Sequence, residues 1–83
     1  MTAPIIVYST RWCGHCHRLT RQLQREGIAY LQVDIEEQPA AAEVVIRLNN
    51  GAQTVPTVVF PDGTALSNPT MAQVKAHLTA RVT

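Results

Sequence analysis

Apolar and polar positions along the chain follow two different periods. The continuous apolar run at positions 5–8 is rich in β-branched residues, which predicts a short buried central strand. From about Cys13 the spacing becomes helical, because Cys16, Leu19 and Leu23 recur on one face. The first half of the chain therefore begins with a strand followed closely by a helix.

The next pattern predicts a second strand and a second helix. Residues 29–35 alternate between apolar and polar types, which is typical of a strand with one face better buried than the other. A strand, a helix and a strand this close together imply parallel pairing. Pro39 suits the first turn of a second helix, whose predicted apolar stripe is Ala41, Val45 and Leu48.

The last third of the chain predicts a hairpin and a third helix. Two short apolar runs, 57–60 and 64–66, flank Pro-Asp-Gly at 61–63, which is a hairpin signal. Thr70 and Gln73 have the spacing of a capping box that opens a helix. The apolar face of that helix is formed by Val74, Leu78 and Val82.

These elements follow one another in the order βαβαββα. That order predicts an α/β fold with a four-stranded mixed sheet and three helices packed on its faces. The 83 residues suffice for one domain with a modest core and leave no room for a second. We therefore expect a single domain over residues 1–83.

Charge and composition restrict the class of partner. Seven Lys and Arg against six Asp and Glu give a net charge of +1, too little to bind nucleic acid or an anionic membrane by charge alone. The N-terminus has no basic stretch, and its apolar run is too short for a signal peptide or a membrane span. We expect a cytoplasmic protein, and nothing in the pattern indicates an obligate oligomer.

The two cysteines are the residues that carry candidate chemistry. Three positions apart in a reducing compartment, Cys13 and Cys16 indicate a redox or metal role rather than a structural disulfide. Helix N-terminal amides, Arg11 and His15 are expected to favour the thiolate of Cys13. Cys16, one turn deeper, should be more buried and less acidic, so Cys13 is the predicted nucleophile and Cys16 the resolving cysteine. Trp12 precedes the nucleophile, where a partly exposed aromatic ring suits stacking on a substrate.

Other interpretations of the motif are weaker. The run Cys-Gly-His-Cys-His at 13–17 also matches the attachment motif of c-type haem, but that chemistry belongs to exported proteins. A structural zinc site wants four ligands and would have to recruit both His15 and His17. We therefore expect no metal site.

Three segments of the chain resemble the glutaredoxin family, and most closely the mycoredoxins. They are Tyr-Ser-Thr-Arg-Trp-Cys-Gly-His-Cys at 8–16, Thr-Val-Pro at 54–56 and Ser-Asn-Pro-Thr at 67–70. The resemblance spans nearly the whole chain and implies a thioredoxin-like fold. It also implies that Pro56 is cis and faces the cysteines, with the Val55 main chain open to a bound thiol or peptide. The predicted substrate-binding residues are Arg11, Trp12, His15, Thr54, Val55, Pro56, Ser67, Asn68 and Thr70.

The resemblance implies a reaction as well as a fold. The substrate is a mixed disulfide between a client protein and a low-molecular-weight thiol such as mycothiol or glutathione. Cys13 takes the small thiol and frees the protein cysteine, and a second small thiol or Cys16 then resolves the enzyme. A flavoprotein reductase using NADPH recycles the small disulfide. The domain itself needs no tightly bound cofactor.

Two departures from ordinary glutaredoxins favour mycothiol as the small thiol. The lysine usual three residues before the nucleophile is Thr10, and Ser-Asn-Pro-Thr at 67–70 stands where many glutaredoxins have Gly-Gly-x-x-Asp. Both changes remove charges that pair with the ends of glutathione, although Arg11 is placed to replace the missing lysine. Two other functions stay open: a thioredoxin-like dithiol electron donor served by thioredoxin reductase, and a carrier of an iron-sulfur cluster bridging two protomers.

Overall fold

The computed structural model describes residues 4–82, with side chains described as far as residue 79. Its elements follow the predicted order βαβαββα. In the described part of the chain, no helix is long and apolar enough to cross a membrane. The elements are β1 Ile5–Ser9, α1 Gly14–Arg25, β2 Tyr30–Asp34, α2 Pro39–Leu48, β3 Thr57–Val59, β4 Ala65–Ser67 and α3 Met71–Val82.

The four strands form one mixed sheet in the order β2-β1-β3-β4. β1 and β2 are parallel, from Ile5 beside Tyr30 to Ser9 beside Asp34. β3 is antiparallel to both β1 and β4, which confirms the predicted hairpin. Because β1 lies between two neighbours and runs straight into the cysteine segment, the sheet fixes the position of Cys13.

Two apolar clusters pack on the sheet, and β1 contributes to both. Val7 belongs to the larger cluster, in which α1 and α3 contribute buried side chains, and Tyr8 packs against the smaller one beside α2. This division follows from the alternation of side chains along a strand. The larger cluster contains Ile5, Val7, Leu19, Leu23, Val58, Phe60 and Val74, and the smaller one Ile35, Ala41 and Val45.

Two of the predicted apolar positions, Leu31 and Leu48, are exposed. Leu48 is 42% exposed, contrary to its place in the predicted stripe, because it is the last residue of α2 and the chain turns away there. Leu31 is 56% exposed because β2 is an edge strand, so its buried face is less complete than the alternation predicted. The predicted packing of Val82 lies outside the described side chains.

The helix ends agree with their sequence signals. Cys13 is the N-cap of α1, and Gly27 follows its last turn with φ +71°, a conformation that glycine adopts without strain. At the start of α3 the Gln73 N–H donates to Thr70 Oγ1 at 3.2 Å, and the Thr70 N–H donates to Gln73 Oε1 at 2.9 Å. The predicted capping box is therefore formed on both sides.

Candidate active site

Cys13 lies at the junction of the sheet and the first helix. As the N-cap residue of α1 it has an extended backbone, and its Sγ accepts the Cys16 N–H at 3.2 Å. The sulfur therefore lies at the N-terminal end of the helix beside a main-chain N–H donor. The residue is 8% exposed.

Cys16 has a different environment one turn into the helix. It is fully buried on the face that carries Leu19 and Leu23. Burial first, and then hydrogen bonding to Cys13, raise the pKa of the Cys16 thiol to about 12. A hydrogen bond from the Thr10 main chain opposes this shift without cancelling it. Cys16 is thus a neutral thiol at neutral pH, as the sequence predicted.

The loop at 54–56 forms one wall of a cleft beside Cys13. The Val55–Pro56 peptide bond is cis, as the resemblance implies, and Pro56 is buried. The Cys13 thiol donates to the Val55 carbonyl oxygen, with sulfur and oxygen 3.9 Å apart. Thr54 and Val55 are partly exposed, so their main chain borders the nucleophile and is open to a substrate.

The segment 67–70 forms a second wall beside this loop, because Thr57 and Ser67 are paired between β3 and β4. The Asn68 N–H donates to the Pro56 carbonyl at 2.7 Å, and Asn68 has φ +50°, a left-handed conformation that asparagine tolerates better than most residues. The Ser67 hydroxyl donates to Asn49 Oδ1, which leaves its lone pairs for a ligand. Ser67, Asn68 and Thr70 are exposed and uncharged, as expected for this wall.

Asn49 is a contact of this wall that the sequence did not suggest. Its position at the C-cap of α2, before Asn50 and Gly51, indicated only the end of a helix. The long-range partners of its side chain become visible only in the folded chain. No pattern of spacing would have revealed them.

A cavity of about 210 Å³ lies between α1 and the start of α3. His15 is part of its lining, and its Nε2 N–H donates to the Pro69 carbonyl at 3.1 Å. This contact joins the His15 ring to the segment that precedes α3. The lining residues are His15, Arg18, Leu19, Gln22, Thr70 and Met71.

Arg11 is directed away from the nucleophile, contrary to expectation. Its Nη2 lies 2.8 Å from Glu37 Oε1 and its Nε 3.6 Å from Asp34 Oδ2. The His17 Nε2 N–H donates to the Arg11 carbonyl at 2.7 Å. These contacts place Arg11 beside a separate polar cavity of about 280 Å³ at the β2 edge of the sheet. The two carboxylates explain the orientation, because they offer the guanidinium a charge-assisted bond that the cleft does not.

Two neighbours of the nucleophile differ sharply in exposure. Trp12 is 72% exposed, which confirms that it is free to contact a partner. Thr10, which stands where ordinary glutaredoxins have a lysine, is 3% exposed. Its Oγ1 has no hydrogen-bond partner among the described residues.

The two histidines of the motif do not converge on a metal. His15 and His17 bind carbonyl oxygens of different segments, Pro69 and Arg11. Within residues 4–82, no group of three or more His, Cys, Asp or Glu side chains is arranged to hold a metal ion.

Comparison with known proteins agrees with this geometry. The glutaredoxin family model matches residues 5–65, which include both cysteines and the cis-proline loop. A relative in Mycobacterium tuberculosis that carries a glutaredoxin name is 51% identical over 78 residues, 94% of this chain and 93% of its own. Mycoredoxin 1 of Corynebacterium glutamicum is 37% identical over 76 residues, 92% of this chain and 94% of its own. The structure of a glutaredoxin from Archaeoglobus fulgidus superimposes with a TM-score of 0.73 at 28% identity, covering 89% of this chain and 84% of that one.

Proposed function

Because this chain belongs to the glutaredoxin family of thiol-disulfide oxidoreductases, we propose that it reduces mixed disulfides between client proteins and mycothiol through Cys13. One observation carries the proposal. The nucleophile lies at a helix N-terminus beside the Val55 carbonyl, in a cleft whose wall at 67–70 presents uncharged polar groups. Arg11, the cation nearest in sequence, is bound to two carboxylates instead.

The first half of the reaction transfers the small thiol to the enzyme. The Cys13 thiolate attacks the mycothiol sulfur of the mixed disulfide, and the bond between that sulfur and the client sulfur breaks. The client cysteine leaves as a thiolate and takes a proton from solvent. Cys13 is then joined to mycothiol by a disulfide, held against the Val55 main chain and the 67–70 wall.

The second half restores the enzyme. A second mycothiol thiolate attacks the mycothiol sulfur, which releases the Cys13 thiolate and forms mycothiol disulfide. An NADPH-dependent flavoprotein reductase then reduces that product, so the enzyme holds no cofactor of its own. Cys16 offers a second route by attacking Cys13, and this route is needed when the substrate is a protein disulfide. We place the reaction in the cytoplasm of the cell, with the enzyme acting as a monomer.

The chemistry of the small thiols favours mycothiol. Glutathione carries two carboxylates and an ammonium group, so a site for it benefits from a cation near the nucleophile and a carboxylate near α3. Thr10 is buried and Thr70 is neutral at those two places, and Arg11 does not replace the cation because Glu37 and Asp34 hold it. Mycothiol is a pseudodisaccharide with no formal charge apart from its thiol. Its hydroxyl groups suit Ser67, Asn68 and Thr70 as hydrogen-bonding partners.

Initial rates on two mixed disulfides of one peptide test the proposal. One substrate carries mycothiol and the other glutathione, and each is assayed with its own thiol and reductase in excess. We expect the mycothiol substrate to be reduced faster, and a clear preference for glutathione would refute the choice of thiol. Turnover with thioredoxin reductase alone would instead indicate a dithiol electron donor. Visible absorbance after anaerobic purification would indicate an iron-sulfur carrier.

A further inference from the structure

Asn49 connects three elements around the cleft through its side-chain amide. The Nδ2 group donates to the Val45 carbonyl at 2.7 Å and to Thr57 Oγ1 at 3.1 Å. Oδ1 accepts the Ser67 hydroxyl. The amide therefore uses both donors and its acceptor within the protein, and it bonds to α2, β3 and β4 at once.

The Thr57 contact extends to the loop that faces the nucleophile. Thr57 is fully buried, and its hydroxyl donates to the Thr54 carbonyl at 2.6 Å while it accepts from Asn49. Thr54 is two residues before Pro56, in the segment whose Val55 carbonyl accepts from the Cys13 thiol. Hydrogen bonds thus connect Asn49 to the loop beside Cys13 through one intervening side chain, Thr57.

The Ser67 contact extends to the other wall. Ser67 ends β4, and the next residue donates its N–H to the Pro56 carbonyl at 2.7 Å. One side chain, Asn49, thereby holds the start of the cis-proline loop and the start of the 67–70 wall. The binding of a substrate that contacts both walls depends on where the walls lie. Small errors in the placement of binding groups strongly reduce the rate of an enzymatic reaction.

We propose that Asn49 is a positioning residue that fixes both walls against the end of α2 for the binding of small-thiol mixed disulfides. The inference rests on the proposed function, because that function places the small thiol against these walls. A competing explanation is that the side chain only caps α2 through the Val45 carbonyl. A cap contributes to stability, whereas a positioning role also changes how the substrate is bound.

The experiment compares Asn49→Ala with Thr57→Val, which removes the intervening hydroxyl at nearly constant volume, and with the double variant. The substrate is whichever of the two mixed disulfides the unaltered protein reduces faster. We expect each single variant to lower kcat/KM by about three- to tenfold, the factor that corresponds to one neutral hydrogen bond. The double variant should lose no more than Asn49→Ala alone, because Thr57→Val breaks a contact on a path that Asn49→Ala already removes.

Two further measurements distinguish a role of Asn49 in positioning the walls from a role in the stability of the fold alone. The alkylation rate of Cys13 by iodoacetamide does not require both walls, and it should change by less than about twofold in every variant. Asn50→Gly is the matched control, because it removes an exposed amide one residue along and glycine keeps the φ of +55° found there. It should leave kcat/KM unchanged.

Each outcome decides between the explanations. A lower melting temperature with unchanged kcat/KM, at a temperature where all variants are folded, would show that Asn49 is only a cap and would overturn the inference. Additive losses in the double variant would also contradict it. Inactivity of the unaltered protein on both mixed disulfides would refute the proposed function and not the contacts of Asn49, so the two failures are distinguishable.

Discussion

The raised pKa of Cys16 leads to a prediction about the second step of the dithiol route. If Cys13 carries a mixed disulfide and no other thiol is present, only Cys16 can resolve it, and only as a thiolate. Burial, the largest cause of the raised pKa, persists in that intermediate, while the contribution of the Cys13 sulfur is lost. Resolution by Cys16 should therefore be slow at neutral pH and accelerate strongly in alkaline solution.

The size of the effect follows from the thiolate fraction. In the mixed disulfide the pKa of Cys16 is at most about 12, because the contribution of the Cys13 sulfur is lost. At that limit roughly three Cys16 thiols in 100,000 are ionised at pH 7.5, against roughly one in ten for a free cysteine at about 8.5. A more basic thiolate is intrinsically more nucleophilic, which recovers a factor of about 25 to 60 and leaves Cys16 at most about 50 to 120 times slower than an ordinary thiol. Between pH 9 and pH 10 the rate should rise about tenfold, whereas an ordinary thiol would gain only about 1.3-fold.

A chromogenic aromatic disulfide makes both steps visible. Cys13 releases the first coloured thiolate when it attacks the reagent, and Cys16 releases the second when it attacks Cys13. Stopped-flow absorbance follows the two phases from pH 7 to pH 10, and Cys16→Ser, the control, should show the first phase alone. Circular dichroism checks folding at each pH, because a thiol whose pKa is raised in the folded state costs stability as the pH rises above about 8.5. A second phase that levels off near pH 8.5 would refute the argument.

Substitutions at three further positions test individual features of the structure. Thr10→Val removes a buried hydroxyl that lacks a partner among the described residues, so urea denaturation should show a gain of about 1 kcal/mol, and a loss would mean that the hydroxyl is bonded. Asn68→Gly should keep the stability, while Asn68→Val should lose about 1–2 kcal/mol because its φ is +50°. Arg11→Ala should change the alkylation rate of Cys13 by less than about threefold, because solvent and salt screen an exposed charge. A tenfold fall in that rate would show that Arg11 acts on Cys13.

The features that the sequence predicted correctly depend on local patterns. The apolar run of β1, the helical spacing of Cys16 with Leu19, and the capping box of Thr70 each involve residues within one or two turns of one another. Packing in the folded chain only had to agree with these preferences. The parallel pairing of β1 with β2 and the cysteine at the helix N-terminus followed from the order of elements along the chain.

The features that it missed depend on contacts between distant segments. Arg11 was expected near Cys13 because the two are close in sequence, but its carboxylate partner Glu37 is 26 positions away. His15 binds the Pro69 carbonyl, 54 positions away. Residues that are close in sequence are also close in space, but their sequence separation does not fix the direction of their side chains. That direction decides which groups contact the Cys13 sulfur.

The division between main chain and side chain explains why the reaction is easier to infer than the substrate. Cys13 is surrounded by main-chain groups, the Cys16 N–H and the Val55 carbonyl, and the two walls are joined by the Asn68 N–H and the Pro56 carbonyl. Main-chain groups are present whatever the side chain, so the fold and the cysteines suffice to assemble the reactive part of the site. In the proposed function, the groups that meet the small thiol are the exposed, uncharged side chains of the 67–70 segment. We therefore expect substitutions of these side chains to change the preference for a small thiol more than they change the reaction itself.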